Sequence, residues 1–327
     1  MPAAVEPVDT TARRGLAFAL GSAATFGTAG VFAAALIEAD WSPAAAVTAR
    51  ISVAALVLTI PALFALRGRW STLVASWRPV VAYGLVGVAG CQLCYFNALE
   101  HLSVAVALLL EYLGTVLVVG WIWLRTRKAP RPLTIGGTAL AIGGLVLVLD
   151  LTGTQRVDPI GVMWGLIAAV ALATYFVLSA RTGDPLPPIV TVWAGMVVAA
   201  VTLGALGAVG VLRMRVGATT VSFAGTETSW LVPVLGLAVV AAAAAYLLGV
   251  AAARRLGATV ASFVGLTEVV FAVLFAWLFL GQLPGAIQLA GGALIVGGAA
   301  CVRIDELRKA RAARQLAVSA PAGYMVG

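Results

Sequence analysis

LLLEYLGTVLVVGWIWLRTRKAPR, residues 108–131, runs from an apolar stretch carrying one carboxylate, Glu111, through a Trp-rich edge into a loop with four basic residues. Shifted by 154 positions, it lies without a gap on SFVGLTEVVFAVLFAWLFLGQLPG, residues 262–285. Over the wider window, residues 102–148 against 256–302, fourteen of 47 positions are identical. Trp123 meets Trp277, Pro130 meets Pro284, and Gly143-Gly144 meets Gly297-Gly298. A weaker echo sets Ala24-Thr25-Phe26 beside Ala173-Thr174-Tyr175. The charges do not repeat. RTRKAPR, residues 125–131, faces FLGQLPG, residues 279–285, while Glu100-His101 faces Arg254-Arg255.

That exchange of charge has a physical cause in the kind of chain this is. Apolar residues make up 62% and charged ones 10% of 327 positions, at a mean hydropathy of +1.05, a surface no water-soluble domain of this size tolerates. Apolar runs long enough to cross a bilayer as helices fall at about 15–37, 43–66, 79–99, 102–124, 133–151, 159–180, 188–212, 230–252, 257–280 and 286–303. The expected fold class is an all-α membrane protein of ten transmembrane helices; continuous Ala/Val/Leu/Gly runs without alternation disfavour a barrel. With the N-terminus inside, seventeen Lys and Arg residues fall on the cytoplasmic side and three, Arg156, Arg213 and Arg215, outside. This sets both termini in the cytoplasm of a cell-membrane protein. A five-helix unit is odd-numbered, so two in tandem insert in opposite orientations and their loop charges must swap sides. The expected division is a cytoplasmic segment 1–14, a first repeat 15–151, an inverted second repeat 159–303 and a basic tail 304–327. The net charge of +8 is thereby accounted for by orientation, and no nucleic-acid partner is expected.

Ten helices in a five-plus-five repeat, with YFNALEHLSVAVALLLEYLGTVLVV (residues 95–119) and ATVASFVGLTEVVFAVLFAWLFLGQ (residues 258–282), resemble the EamA family of the drug/metabolite transporter superfamily. The likeness covers about residues 15–303. It implies an "EP" motif in the second copy and "EYLxP" in the first. Glu268 and Glu111-Tyr112-Leu113 match, whereas Val269 and Thr115 hold the proline positions and Gln282 replaces an acidic residue. The LEYL form is similar to the branch that includes amino-acid exporters.

Arg50, Glu111 and Glu268 are formal charges well inside spans. Each costs at least roughly 2.5 to 3.5 kcal/mol on insertion scales, so each needs a partner or a task. Glu111 lies nine residues past the start of its span and Glu268 eleven past the opposite side, which at ~1.5 Å per residue puts both near the midplane. Two readings stand open: an ion pair of Arg50 with one Glu that pins helices together, or a polar cavity in which the carboxylates bind a solute ammonium or a coupling proton. Tyr112, Tyr95, Gln92 and Asn97 are candidates to line such a cavity. Gly136-Gly137 and Gly143-Gly144 suit close helix contact. Cys91, Cys94 and Cys301 read as packing residues, and a lone His101 builds no metal site, so no metal and no cofactor are expected. Neither Lys128 nor Lys309 follows a Gly, so there is no P-loop. The expected function is therefore a secondary transporter, not an enzyme: a proton-coupled exporter of a small-molecule solute such as an amino acid, working by alternating access. Uptake or drug efflux by the same fold, a membrane-embedded enzyme, and a non-transporting scaffold are the rivals. Oligomeric state is not encoded in any motif.

Overall fold

The structure, a computed structural model, describes residues 8–99, 101–102, 107, 110–148, 158–181, 185–223, 225–281, 283 and 285–319. Glu100, Arg156, Gln282 and Pro284 lie outside the described residues. Helices occupy the ten apolar runs. Five segments among the described residues are long and apolar enough to cross a membrane unaided: Thr11–Glu38, Pro43–Leu66, Pro159–Ser179, Pro188–Ala208 and Leu231–Gly265. Shorter apolar helices include Pro132–Leu147 and Thr267–Phe279. Local signals start them. Ser42 caps the second span by accepting a bond from the Ala45 amide, with Pro43 at the first helical position. Asp158 does the same for the sixth span through Ile160 N–H at 2.8 Å, and its other oxygen meets His101 Nδ1 at 2.9 Å.

The helices pair in a pattern that survives exchange of the two halves. The first span packs on the eighth and ninth, and the sixth packs on the third and fourth. The second packs on the seventh and eighth, and the seventh on the second and third, while the fifth packs on the tenth. This is the contact set of a pseudo-twofold axis running between inverted repeats. Glycines hold the fifth and tenth spans at that axis. A Cβ on Gly137 would fall 2.8 Å from Gly298 O, and one on Gly144 would fall 2.5 Å from Gly291 O. Residues 291 and 298 are the repeat equivalents of 137 and 144, so the two contacts are one contact made twice. Gly136, Gly143 and Gly297 have nothing within 4 Å of that position.

The helices are interrupted at matching places. The third span passes through a π-helical segment at Tyr83–Gly90 and the eighth through one at Gly236–Ala244, which the 154-residue shift superposes. The fourth and ninth spans are each interrupted by one residue. Leu113 N–H bonds Leu110 O at 3.2 Å and Val116 N–H bonds Leu113 O at 3.0 Å; Leu266 N–H bonds Phe263 O and Val269 N–H bonds Leu266 O, both at 3.2 Å. These are tight turns of the i to i−3 kind. They form without the proline that the resemblance implies. A threonine beside each break, Thr115 and Thr267, instead donates its hydroxyl to the carbonyl three residues back, Tyr112 O at 2.9 Å and Val264 O at 2.6 Å. Between the eighth and ninth spans the chain turns at Gly257, whose φ of 79° suits glycine.

Two features differ from the sequence expectation. The seventh span's helix ends at Ala208, not 212, and a two-stranded hairpin, Thr220–Phe223 with Thr226–Ser229, precedes the eighth. Loop and hairpin sit on the end of the first span: Ser42 Oγ accepts Arg215 N–H at 2.9 Å, Arg215 pairs with Asp40 at 2.8 Å, and Phe223 stacks on Phe32 at 5.4 Å. The basic tail continues the tenth helix as far as Ser319. Its Asp305 is buried and accepts Thr134 Oγ at 2.8 Å, with Arg131 at 3.9 Å, which ties the tail's root to the fifth span.

The glycine pattern makes a paired prediction. Gly144→Leu should cost the folded state at least about 1–3 kcal/mol, because the added side chain meets backbone, while Gly143→Leu should be tolerated. Yield of monodisperse protein on detergent gel filtration checks both, and equal yields would mean the two helices do not meet at this face.

Candidate functional site

Arg50, on the second span, is 7% exposed. Its Nη2 donates to the backbone carbonyl of Ala241 inside the second π segment, where π geometry leaves carbonyls off the regular ladder. Its guanidinium lies over Phe26, 5.8 Å from the ring centroid, a favourable cation–π placement. Glu268 and Glu111 are the carboxylates within its electrostatic reach. Among the described residues Arg50 makes no ion pair within 4 Å with either. Glu111 accepts the Cys91 thiol at 3.1 Å, and Tyr112 and Tyr95 lie within electrostatic reach of both carboxylates.

The structure thus brings together Arg50, Glu111, Glu268, Tyr112 and Tyr95 at the meeting of the two repeats. Asn97 donates instead to Leu93 O at 2.7 Å within its own helix, and Gln92, one residue from Cys91, is half-buried. Aromatic rings extend the cluster. Tyr246 packs on Phe26 at 5.0 Å and on Tyr175 at 5.6 Å, and Tyr175 packs on Tyr83 at 5.7 Å. Gly249 makes room for Tyr175, since a Cβ there would fall 2.3 Å from its hydroxyl. Phe26 and Tyr175, the pair aligned by the weak echo in the sequence, contact the same ring from opposite halves.

Cys91, Tyr246, Tyr175 and Tyr83 were not legible as site residues. Cys91 reads as packing because a thiol is mildly apolar, and only the fold shows that its neighbour is a carboxylate. A signal existed for Tyr246, which the repeat sets opposite Gln92.

The profile of the EamA-like transporter family matches residues 13–150 and again 159–304. The chain belongs to that family. This EamA-like chain is therefore a multi-pass membrane protein of a transporter family. It is 30% identical over 104 residues to the pseudopaline exporter CntI of Pseudomonas aeruginosa (strain UCBPP-PA14), covering 30% of this chain and 35% of that one. It thus spans about a third of that relative's length, 35%. It is 24% identical over 233 residues to the uncharacterized transporter YwfM of Bacillus subtilis (strain 168), covering 69% of this chain and 73% of that one. A solved crystal structure superposes with a TM-score of 0.71 at 23% identity over 90% of this chain and 97% of its own, which shows a shared fold.

Removing the guanidinium should strand two carboxylates and the Ala241 carbonyl. Arg50→Leu is expected to lower the yield of folded EamA-like protein, and Glu268→Gln or Glu111→Gln added to it should restore part of that yield. Fluorescence-detected gel filtration of the two double variants checks this; recovery in neither would mean that neither carboxylate balances Arg50.

Proposed function

We propose that this chain is a secondary active transporter of the cell membrane, with both termini in the cytoplasm, that exports a small metabolite, an amino acid or a related compound, in exchange for protons by alternating access. The observation that carries the reading is one buried cation, Arg50, anchored across the repeats to Ala241 O, with a carboxylate inside a span of each repeat, Glu111 and Glu268. A group that must bind a proton on one side and release it on the other has to sit where the two halves meet, because that is where exposure changes sides. Charge is retained there at a cost that packing alone does not repay. The sequence has no nucleotide-binding loop, so uphill movement draws on an ion gradient. The direction is supported by the likeness of the LEYL segment to the branch that includes amino-acid exporters and by one relative's being named an exporter. Uptake by the same machinery is the second reading, and a vesicle assay with the gradient imposed from either side separates them.

Glu268→Gln and Glu111→Gln should each reach the membrane in normal amount yet lose proton-driven transport in reconstituted vesicles by at least about tenfold, with at least one retaining solute exchange that needs no net proton movement. Full proton-driven transport by the double variant would leave the carboxylates as structural residues. Orientation has its own check. Single cysteines at Arg127 and Gln282, in a background without the native cysteines, should label from the inside and the outside respectively; labelling of both from one side would refute the inverted topology.

A further inference from the structure

A column of tyrosines stands on one side of the charged centre. Phe26, over which the Arg50 guanidinium lies, packs on Tyr246, Tyr246 on Tyr175, and Tyr175 on Tyr83 at 5.7 Å. The column leads away from the midplane toward the basic loops, since Tyr83 is four residues past the start of the third span and Ser179 one residue before the end of the sixth. Tyr83, Tyr175 and Ser179 are fully buried, yet none of their hydroxyls has a hydrogen-bond partner among the described residues. Buried hydroxyls left unmade are costly. The other half fills the equivalent places without them, with Leu237 opposite Tyr83 and Phe26 opposite Tyr175. Arg254, just past the eighth span, fastens the end of this column. Its Nη1 donates to Leu186 O at 2.6 Å and its Nη2 to Thr191 Oγ1 at 2.9 Å, which ties the eighth span to the start of the seventh. Thr191 stands one helical turn before Gly195, and the ring of Tyr83 lies against Gly195, where a Cβ would strike it. The guanidinium therefore holds the seventh span by the face that Tyr83 covers.

We infer that Tyr83, Tyr175 and Tyr246 form the closed plug of a cytoplasmic gate, and that Arg254 is its latch, released from Leu186 and Thr191 when the gate opens. This rests on the transporter reading and its orientation, and adds to them which residues shut the cytoplasmic side. The hydroxyls make the plug easy to part, because water entering it supplies the hydrogen bonds that the closed state lacks. A plug of that kind stays shut only while something holds its helices together, and the two bonds of Arg254 do so across the mouth. Opening on one side of an inverted-repeat frame goes with closure on the other. The outer side is the less closed here: Gln92, the repeat equivalent of Tyr246, is half-buried where Tyr246 is buried. Loss of the latch therefore moves the population from the state closed to the cytoplasm toward the one open to it.

The test uses the full chain in membrane vesicles of both orientations, with one reporter thiol on each side of the centre, Ser179→Cys or Gln92→Cys, in a background without the native cysteines. A membrane-impermeant maleimide should label the Ser179→Cys thiol slowly from the cytoplasmic side while Arg254 is present, and at least about tenfold faster in Arg254→Gln, the change expected for losing one charge-assisted contact. Arg254→Lys, a point charge without the fork that reaches two acceptors, should fall between. Labelling of the Gln92→Cys thiol from the outer side should slow in the same order. The second readout is hydrogen–deuterium exchange on the chain with its native cysteines, where Arg254→Gln should speed exchange in residues 83–90 and 188–195. Unchanged labelling and exchange would overturn the latch, and so would a faster Ser179→Cys reaction with no slowing at Gln92→Cys, which is local loosening. Labelling of the Ser179→Cys thiol from the outer side alone would overturn the gate's cytoplasmic placement. None of these readouts needs a solute, so a failed latch leaves the transporter reading standing, and reciprocal labelling in a chain without proton-driven flux would refute the coupling and uphold the gate.

Discussion

The charge on Arg50 sits where water cannot solvate it, and much of the surrounding architecture follows from how that charge is compensated. Its backbone partner is a carbonyl of the eighth span, its ring partner belongs to the first, and the carboxylates that act on it belong to the fourth and ninth. Four helices from two repeats therefore share one electrostatic centre. Apolar packing in a bilayer specifies register poorly, because lipid tails are as apolar as Leu. A cation that must find a carbonyl at one depth supplies the missing specificity, and the glycine contacts of the fifth and tenth spans supply the close approach.

The scaffold is symmetric and the site is not. Helix pairing, π segments, tight turns and glycine contacts all obey the repeat. The polar groups do not: the equivalents of Cys91 and Tyr112 are Ala245 and Leu266. The thiol that donates to Glu111 thus has no counterpart in the second half. Glu111 and Glu268 are themselves offset by three residues within the repeat, one turn of helix. Duplication fixed a symmetric frame, and substitution within it made the polar groups of the two halves differ.

Legibility from the sequence followed the same division. Loop charges, the 154-residue shift and the apolar runs carry enough information to assign the fold, because they report on bilayer physics that holds for any chain. Half of the glycine reading came through: Gly137 and Gly144 face a helix and their neighbours Gly136 and Gly143 do not, a distinction of helical phase that a Gly-Gly pair conceals. The hairpin at Thr220–Ser229 was hidden by its shortness, although TVSF and TETS are rich in β-branched residues around an Ala-Gly turn. Arg50 and the two glutamates stood out as charges in apolar runs, whereas the tyrosines and Cys91 acquire meaning only from their neighbours across the repeat.

The turns at Leu113 and Leu266 show how a feature can persist after its usual residue is gone. Proline breaks a helix by removing a donor and by steric conflict, and the break is then permanent. Here every donor at the break is present, and the turn is held by i to i−3 bonds with a threonine hydroxyl back-bonded beside it. Such a turn differs from a regular α-helical one only in which carbonyls its amides reach. Both turns lie within two residues of a midplane carboxylate, Leu113 beside Glu111 and Leu266 beside Glu268. The π segments of the third and eighth spans reach the same groups, since one contains the carbonyl bound by Arg50 and the other ends at Cys91, the partner of Glu111. The polar groups between the repeats are thus set beside irregular backbone: Arg50 on one π segment, Cys91 at the end of the other, and both carboxylates within two residues of a tight turn.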